Sequence, residues 1–278
     1  MLILNDLSVG YGHRTVISDI NAAWAPGNIY GLLGPNGCGK TTLLKTIAGG
    51  LEPTGGKISA NEFFPFDKQR GFLESMVYMP EDFRLPGYSA ETFAKVYSRN
   101  RPKFSRQDFF DNLDMLEFRP NERLDRLSLG NKKKMFLAYS MACHPGILLL
   151  DEPTNGLDPE AKKCFSRLMA STDMSDTLII VSTHLLSDLR NLLSGVILVH
   201  DGRIVLDMTV DEISGLLTFD YADCESALYA DGMRTVAANT SGAYTDVDIE
   251  LLYYAVRESE AMREYLREAS KSNMGIIK

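Results

Sequence analysis

Gly34-Pro35-Asn36-Gly37-Cys38-Gly39-Lys40-Thr41 fits the pattern GxxxxGK[ST] at every position. The spacing has a chemical purpose. Glycines let successive backbone N–H groups turn inward around an anion, and a helix starting after the loop adds its positive end. Lys40 is then placed to reach terminal phosphate oxygens, and the Thr41 hydroxyl to ligate Mg²⁺. Accident would supply the four fixed positions in roughly one chain in a hundred of this size. A second group lies 111 residues beyond Lys40, where Ile147-Leu148-Leu149-Leu150 ends in Asp151-Glu152. In a parallel sheet the carboxyl ends of the strands face the ligand crevice, which puts Asp151 beside a metal held by Thr41. Glu152 then stands where an attacking water must lose its proton. Taken alone, an apolar strand ending in acids is commonplace, and the phosphate loop upstream is what gives this one meaning.

These groups need elements to position them. Residues 29–33 read as a buried strand running into the glycine loop, and 41–48 as a helix closed by Gly49-Gly50. Short apolar runs broken by turn residues over 2–30 predict a small antiparallel sheet. From about 86 to 142 the pattern becomes helical, an inserted subdomain. In it Ser105 caps a helix bearing Phe109, Leu113 and Leu116, and a second helix begins near Gly130 and ends before His144-Pro145-Gly146. Strands at 147–150 and 178–181 flank a helix at 159–170, a βαβ unit that implies parallel pairing. A hairpin around Asp201-Gly202 joins 196–199 to 204–206. Beyond it the spacing predicts a short helix at 211–217, a mixed segment to Thr245 and one long helix over 246–270. The expected class is α/β.

The motifs also match a family jointly. Residues 34–42, Leu127-Ser128-Leu129-Gly130-Asn131, residues 147–152, Gly156-Leu157-Asp158 and Ser182-Thr183-His184 resemble, in order and spacing, the ATP-binding cassette (ABC) ATPases. The second motif is similar to that family's Leu-Ser-Gly-Gly-Gln signature, with Leu129 replacing a glycine and Asn131 a glutamine. The resemblance covers roughly residues 1–204. It implies a P-loop NTPase cassette with a mixed sheet, and leaves residues 205–278, outside the motifs, as a small C-terminal α/β extension. It also implies a head-to-tail pair of cassettes. ATP would lie between Gly34, Pro35, Asn36, Gly37, Cys38, Gly39, Lys40, Thr41 and Thr42 of one copy and Ser128, Gly130 and Asn131 of the other.

Within that resemblance Glu152, His184 and Lys40 are the catalytic residues, His184 contacting the γ-phosphate and holding the attacking water. Asp158 links the two sites, Tyr11 stacks on adenine, and Thr41, Asp151 and Glu81 attend Mg²⁺. Glu81 stands where the family has a metal-sensing glutamine. Ser128 and Gly130 begin a helix whose N-terminus would face the γ-phosphate. Lys132, Lys133 and Lys134 in its first turn oppose the helix dipole, so either a nearby anion or plain solvation is expected there. Cys38, inside a nest of N–H groups, is expected to favour thiolate, with alkylation inactivating and ATP protecting.

Composition narrows the partners. The 278 residues carry 29 Lys and Arg against 37 Asp and Glu, a net charge of −8, which disfavours a nucleic-acid binder relying on overall positive charge. Residues 1–204 balance at 23 acidic and 23 basic, so the whole excess belongs to residues 205–278, with 14 acidic and 6 basic. No apolar run approaches the roughly 20 residues of a membrane span, and the N-terminus lacks a secretory pattern. Four separated cysteines without a CxxC pair predict reduced thiols. Joined to these absences, the resemblance implies a cytoplasmic ATPase, peripheral on the inner face of the cell membrane, driving separate transmembrane permease subunits with a second cassette. The tail at Asp246-Val247-Asp248-Ile249-Glu250 resembles that of cassettes paired with type-2 exporters, so export is favoured over import. The alternatives are a soluble ABC ATPase, such as one serving iron–sulfur cluster assembly, and a nucleotide-binding regulator without turnover.

Overall fold

The computed structural model describes residues 1–119, 121–183, 190–220 and 226–273, with side chains through residue 269. β1 (Leu2–Tyr11) and β2 (Arg14–Trp24) form an antiparallel pair, and β4 (Gly55–Ala60) adds to the other edge of β1. β3 (Ile29–Leu33) leaves this sheet and leads through the glycine loop into α1 (Lys40–Ile47). After α2 (Arg70–Ser75), β5 (Met76–Met79) starts a second sheet with β6 (Ile147–Asp151), β7 (Leu178–Ser182), β8 (Gly195–His200) and β9 (Arg203–Thr209). Its order is β5-β6-β7-β3-β8-β9, parallel throughout except for β9.

The apolar runs explain this sheet. Successive strand side chains point to opposite faces, so a strand covered on both sides must be apolar at every position. Leu148, Leu150, Ile179, Val181, Val196 and Leu198 enter one core, whereas Ile147, Leu149, Leu178, Ile180, Ile197 and Val199 enter the other. The second core lies under the antiparallel sheet and α1, through Leu4, Leu7, Ile17, Leu43 and Leu44. Each such side chain contributes about 1.5–3 kcal/mol by leaving water. The carboxyl ends of β3 and β6 therefore point the same way on one platform, with β7 between them.

The helical subdomain supplies α3 (Ala90–Tyr97), α4 (Arg106–Met115) and α5 (Leu129–Ala142) to the first core. Ser105 caps α4 as its position predicts, its Oγ accepting from the Asp108 N–H at 3.1 Å. α6 (Pro159–Ser171) then crosses between β6 and β7, with Pro159 in its first turn.

The C-terminal residues are less separate than the motif boundary at 204 implies, because β9 runs through that boundary. α7 (Val210–Leu216) starts in a capping box between Thr209 and Glu212. A three-stranded antiparallel sheet follows in the order β10-β12-β11, from β10 (Leu217–Asp220), β11 (Ala227–Asp231) and β12 (Arg234–Ala238). Leu206, Ile213, Val236 and Val247 belong to the same core as Val196 and Leu198. The single helix expected over 246–270 is instead two, α8 (Ile249–Glu258) and α9 (Glu260–Asn273). Ser259 breaks it, with φ −96° and ψ 121°. Its Oγ accepts from the Met262 N–H at 3.1 Å and donates to the Leu228 carbonyl at 2.7 Å. A serine that caps a new helix and ties it to β11 outweighs unbroken helical periodicity.

Candidate active site

The glycine loop closes against the sheet. A Cβ at Gly34 would stand 2.4 Å from the Val199 carbonyl oxygen and 2.6 Å from Cys38 Sγ, so only glycine fits there. Gly39 caps α1 at φ +112°, a left-handed geometry that glycine takes without strain. Lys40 is buried, and its Nζ donates to the Gly34 carbonyl at 2.7 Å and the Pro35 carbonyl at 3.2 Å. Asn36, Gly37, Gly39, Lys40, Thr41 and Thr42 line a cavity of about 500 Å³, together with Val16, Glu81, Glu152 and Asn155. The expected thiolate at Cys38 is not borne out. The side chain is 7% exposed, and burial pushes its thiol up, with the Lys40 charge pulling only part of the way back. Desolvation outweighs the nest of N–H groups, and facile alkylation is no longer expected.

Asp151 ends β6 as a buried carboxylate held by hydroxyls from three elements. Thr41 Oγ1 donates to Oδ1 at 3.2 Å, Ser182 Oγ to Oδ1 at 2.5 Å and Tyr78 OH to Oδ2 at 3.3 Å. Burial, then the Asp151 charge, pushes the Tyr78 phenol well above its ordinary value, so it stays a neutral donor. At the next residue the chain reverses. Glu152 has φ +47°, its N–H donating to the Ser182 carbonyl at 3.1 Å and to Ser182 Oγ at 3.0 Å. Two adjacent acids thus take different places, Asp151 against the Thr41 hydroxyl and Glu152 on the cavity wall.

Glu81 is also on that wall, where its Oε1 accepts from Asn155 Nδ2 at 2.9 Å. Among the described residues no group of three or more His, Cys, Asp or Glu side chains converges to hold a metal. The Thr41–Asp151 pair is thus a partial oxygen site that needs further oxygens from a ligand.

The other predicted residues stand elsewhere. Ser128, Gly130, Asn131 and Asp158 do not line this cavity. Ser128 caps α5, its Oγ accepting from the Asn131 N–H at 3.3 Å, and Asp158 caps α6, its Oδ1 accepting from the Ala161 N–H at 2.8 Å. Leu129 is exposed beside them. Tyr11, at the end of β1, is half-exposed, and Val16 is what that hairpin contributes to the cavity. His184 lies outside the described residues.

Lys133 departs most from expectation. It is 2% exposed, with Nζ donating to the Glu152 carbonyl at 2.6 Å and the Asn155 carbonyl at 2.8 Å. Solvation does not explain it. A signal was present in the sequence, since Lys133, Leu137 and Met141 stand four apart on one stripe of α5 and the other two are core residues. Ser182 was quoted within a motif but given no role, and Tyr78 on β5 and Asn155 in the turn after β6 were missed as well, since common polar residues there carry no spacing signal of their own.

A parallel sheet with a glycine loop after one strand and a hydroxyl-held aspartate ending a nearby one defines a P-loop nucleotide hydrolase. The family model described as ABC transporter matches residues 17–155. The chain belongs to the ABC transporter family, as an ATP-binding cassette. It is 28% identical over 277 residues to Nod factor export ATP-binding protein I of Rhizobium etli, covering 95% of this chain and 85% of that protein. It is 30% identical over 215 residues to the bacitracin transport ATP-binding protein BcrA of Bacillus licheniformis, covering 75% and 69%. A solved ATP-binding subunit of an ABC transporter superposes with a TM-score of 0.68 at 28% identity, covering 77% of this chain and 91% of that one.

Proposed function

We propose that this chain binds and hydrolyses ATP as the motor subunit of an exporter whose membrane-crossing subunits are separate chains. The observation that carries the reading is the convergence of the glycine loop, the Thr41–Asp151 pair and Glu152 on one cavity. Backbone N–H groups of Gly34 and of residues 36–42, with the Lys40 ammonium, receive the phosphates, Lys40 exchanging its loop carbonyls for phosphate oxygens. Thr41 Oγ1 and Asp151 fit Mg²⁺, which neutralises charge on the phosphates when bound. Glu81, linked to Asn155, borders the same space and is the third candidate neighbour of the ion. Glu152 accepts a proton from the attacking water. His184 is assigned to the γ-phosphate by family resemblance alone.

Ser128, Gly130, Asn131 and Asp158 have no place in the cavity of their own chain, which supports their completing the site of a second cassette. Tyr11, exposed at the tip of the β1–β2 hairpin, is available to stack on adenine. A further cavity of about 860 Å³ beside the Glu81 loop is lined by Leu73, Val77, Phe83, Leu85, Phe93 and Phe136. Its apolar wall supports docking of a permease subunit between that loop and the helical subdomain. Among the described residues no helix is long and apolar enough to cross a membrane. The export and transport names of the relatives support this reading over a soluble assembly ATPase, and a motor that drives separate membrane subunits would work on the inner face of the membrane. The test is Glu152→Gln. Turnover should fall by at least about a hundredfold while ATP binding persists. Unchanged hydrolysis would remove Glu152 from the role of base.

A further inference from the structure

Both backbone polar groups of Glu152 are engaged. Its N–H is held by Ser182, and its carbonyl accepts from Lys133 Nζ at 2.6 Å. That peptide sits at φ +47°, a left-handed conformation that costs a non-glycine residue free energy and persists only when its surroundings over-determine it. Lys133 also donates to the Asn155 carbonyl at 2.8 Å, and the Asn155 side chain donates to Glu81 at 2.9 Å. One ammonium thus closes the turn 152–155 at both ends. It comes from the second turn of α5, two residues beyond the signature motif, and from a residue that is 2% exposed.

A buried lysine needs a reason. Burial pulls the ammonium down from its ordinary range, while the carboxylates of Glu81, Glu152, Asp82 and Asp151 act to keep it charged. A helix interior would more simply hold a leucine there, as it does one turn later at Leu137.

Resting on the reading of Glu152 as the base, we propose that Lys133 is a positioning residue for hydrolysis, fixing the Glu152–Asn155 turn so that the Glu152 carboxylate faces the nucleotide cavity. Lys133 does not line the nucleotide cavity itself. Its contribution is to lock a strained turn and tie it to the signature helix of the same chain. Lys133→Met keeps the length and packing of the side chain and removes its donors. In single-turnover assays of the full-length chain, hydrolysis should slow by about tenfold to a hundredfold, the scale of a roughly 1 Å misplacement of a catalytic group. The Kd for ATP, set by the glycine loop, should stay within about twofold. Lys133→Arg, which retains charge and donors, should recover most of the rate. If Lys133→Met does not fold, Lys133→Gln against Lys133→Arg gives the same comparison, with the amide slow and the guanidinium fast.

Full turnover in Lys133→Met would overturn the proposal, as would a parallel loss of ATP binding or no difference between the charged and neutral replacements. The underlying reading fails separately. If Glu152→Gln still hydrolyses ATP, Glu152 is not the base. If Glu152→Gln is inactive while Lys133→Met is normal, only the positioning role falls.

Discussion

Asp151 accepts from hydroxyls of α1, β5 and β7, so one carboxylate senses the relative placement of three elements. Its negative charge is what a cation beside Thr41 would need, and the neutral isostere tests that directly. Asp151→Asn should lose about a hundredfold or more in turnover. It should also abolish the tightening of ATP binding by Mg²⁺, measured by calorimetry with and without the metal. Unchanged metal dependence would move the ion elsewhere. At this scale the legible residues were those whose identity is forced by chemistry. Gly34 and Gly39 are required by close approach and a left-handed cap, and Lys40, Thr41, Asp151 and Glu152 are recognised by spacing. Cys38 and Lys133 were misjudged for one reason, since burial decides the state of a thiol or an ammonium and is a property of the packed chain.

Elements followed the pattern of apolar residues wherever packing agreed with it. The runs at 147–150, 178–181 and 196–199 became strands buried on both faces, and Ser105 and the segment ahead of Gly130 became helix starts. The C-terminal helix is the exception. Its charges at helical spacing continue across Ser259, yet the serine hydroxyl bonds Met262 and Leu228 and ends α8. Ser259→Ala removes a cap and a tie to β11. It should lower stability by about 1–2 kcal/mol in urea denaturation, with a cost near zero contradicting the capping role.

Over the whole molecule, charge and core divide the chain differently. Residues 1–204 carry no net charge, and residues 205–278 carry the full −8. The core ignores that division, since Leu206, Ile213, Val236 and Val247 pack with Val196 and Leu198. β9 also ties the two sheets together, because Asp207 accepts from the Trp24 indole N–H of β2, both carboxylate oxygens lying 3.1 Å away. Desolvation there, with Glu212 adding to it and the indole opposing, raises the Asp207 carboxyl to about 6. A carboxyl raised on folding keeps its proton better in the native state. Its contribution is therefore favourable below the unfolded value near 4 and is lost as pH rises through about 6. The Asp207 side chain as a whole is exposed, with only its carboxylate drawn against the buried Trp24 indole, so screening by water keeps the effect small. Asp207→Asn stays neutral, and its Tm should gain on the parent as pH is raised from about 5 to about 7.5. A constant difference would refute the link.

The sequence by itself determined the class of chemistry, because phosphate binding and proton transfer require particular residue types at particular separations along a strand, a loop and a helix. It also determined the strands, because a side chain buried on either face of a sheet must be apolar at every position. Only the tertiary structure decided that Lys133 is a buried clasp on the Glu152 turn, that burial raises the Cys38 thiol instead of favouring thiolate, and that apolar residues of the acidic C-terminal segment share a core with the cassette. Those outcomes depend on what each side chain meets from distant parts of the chain, and local spacing carries no record of it.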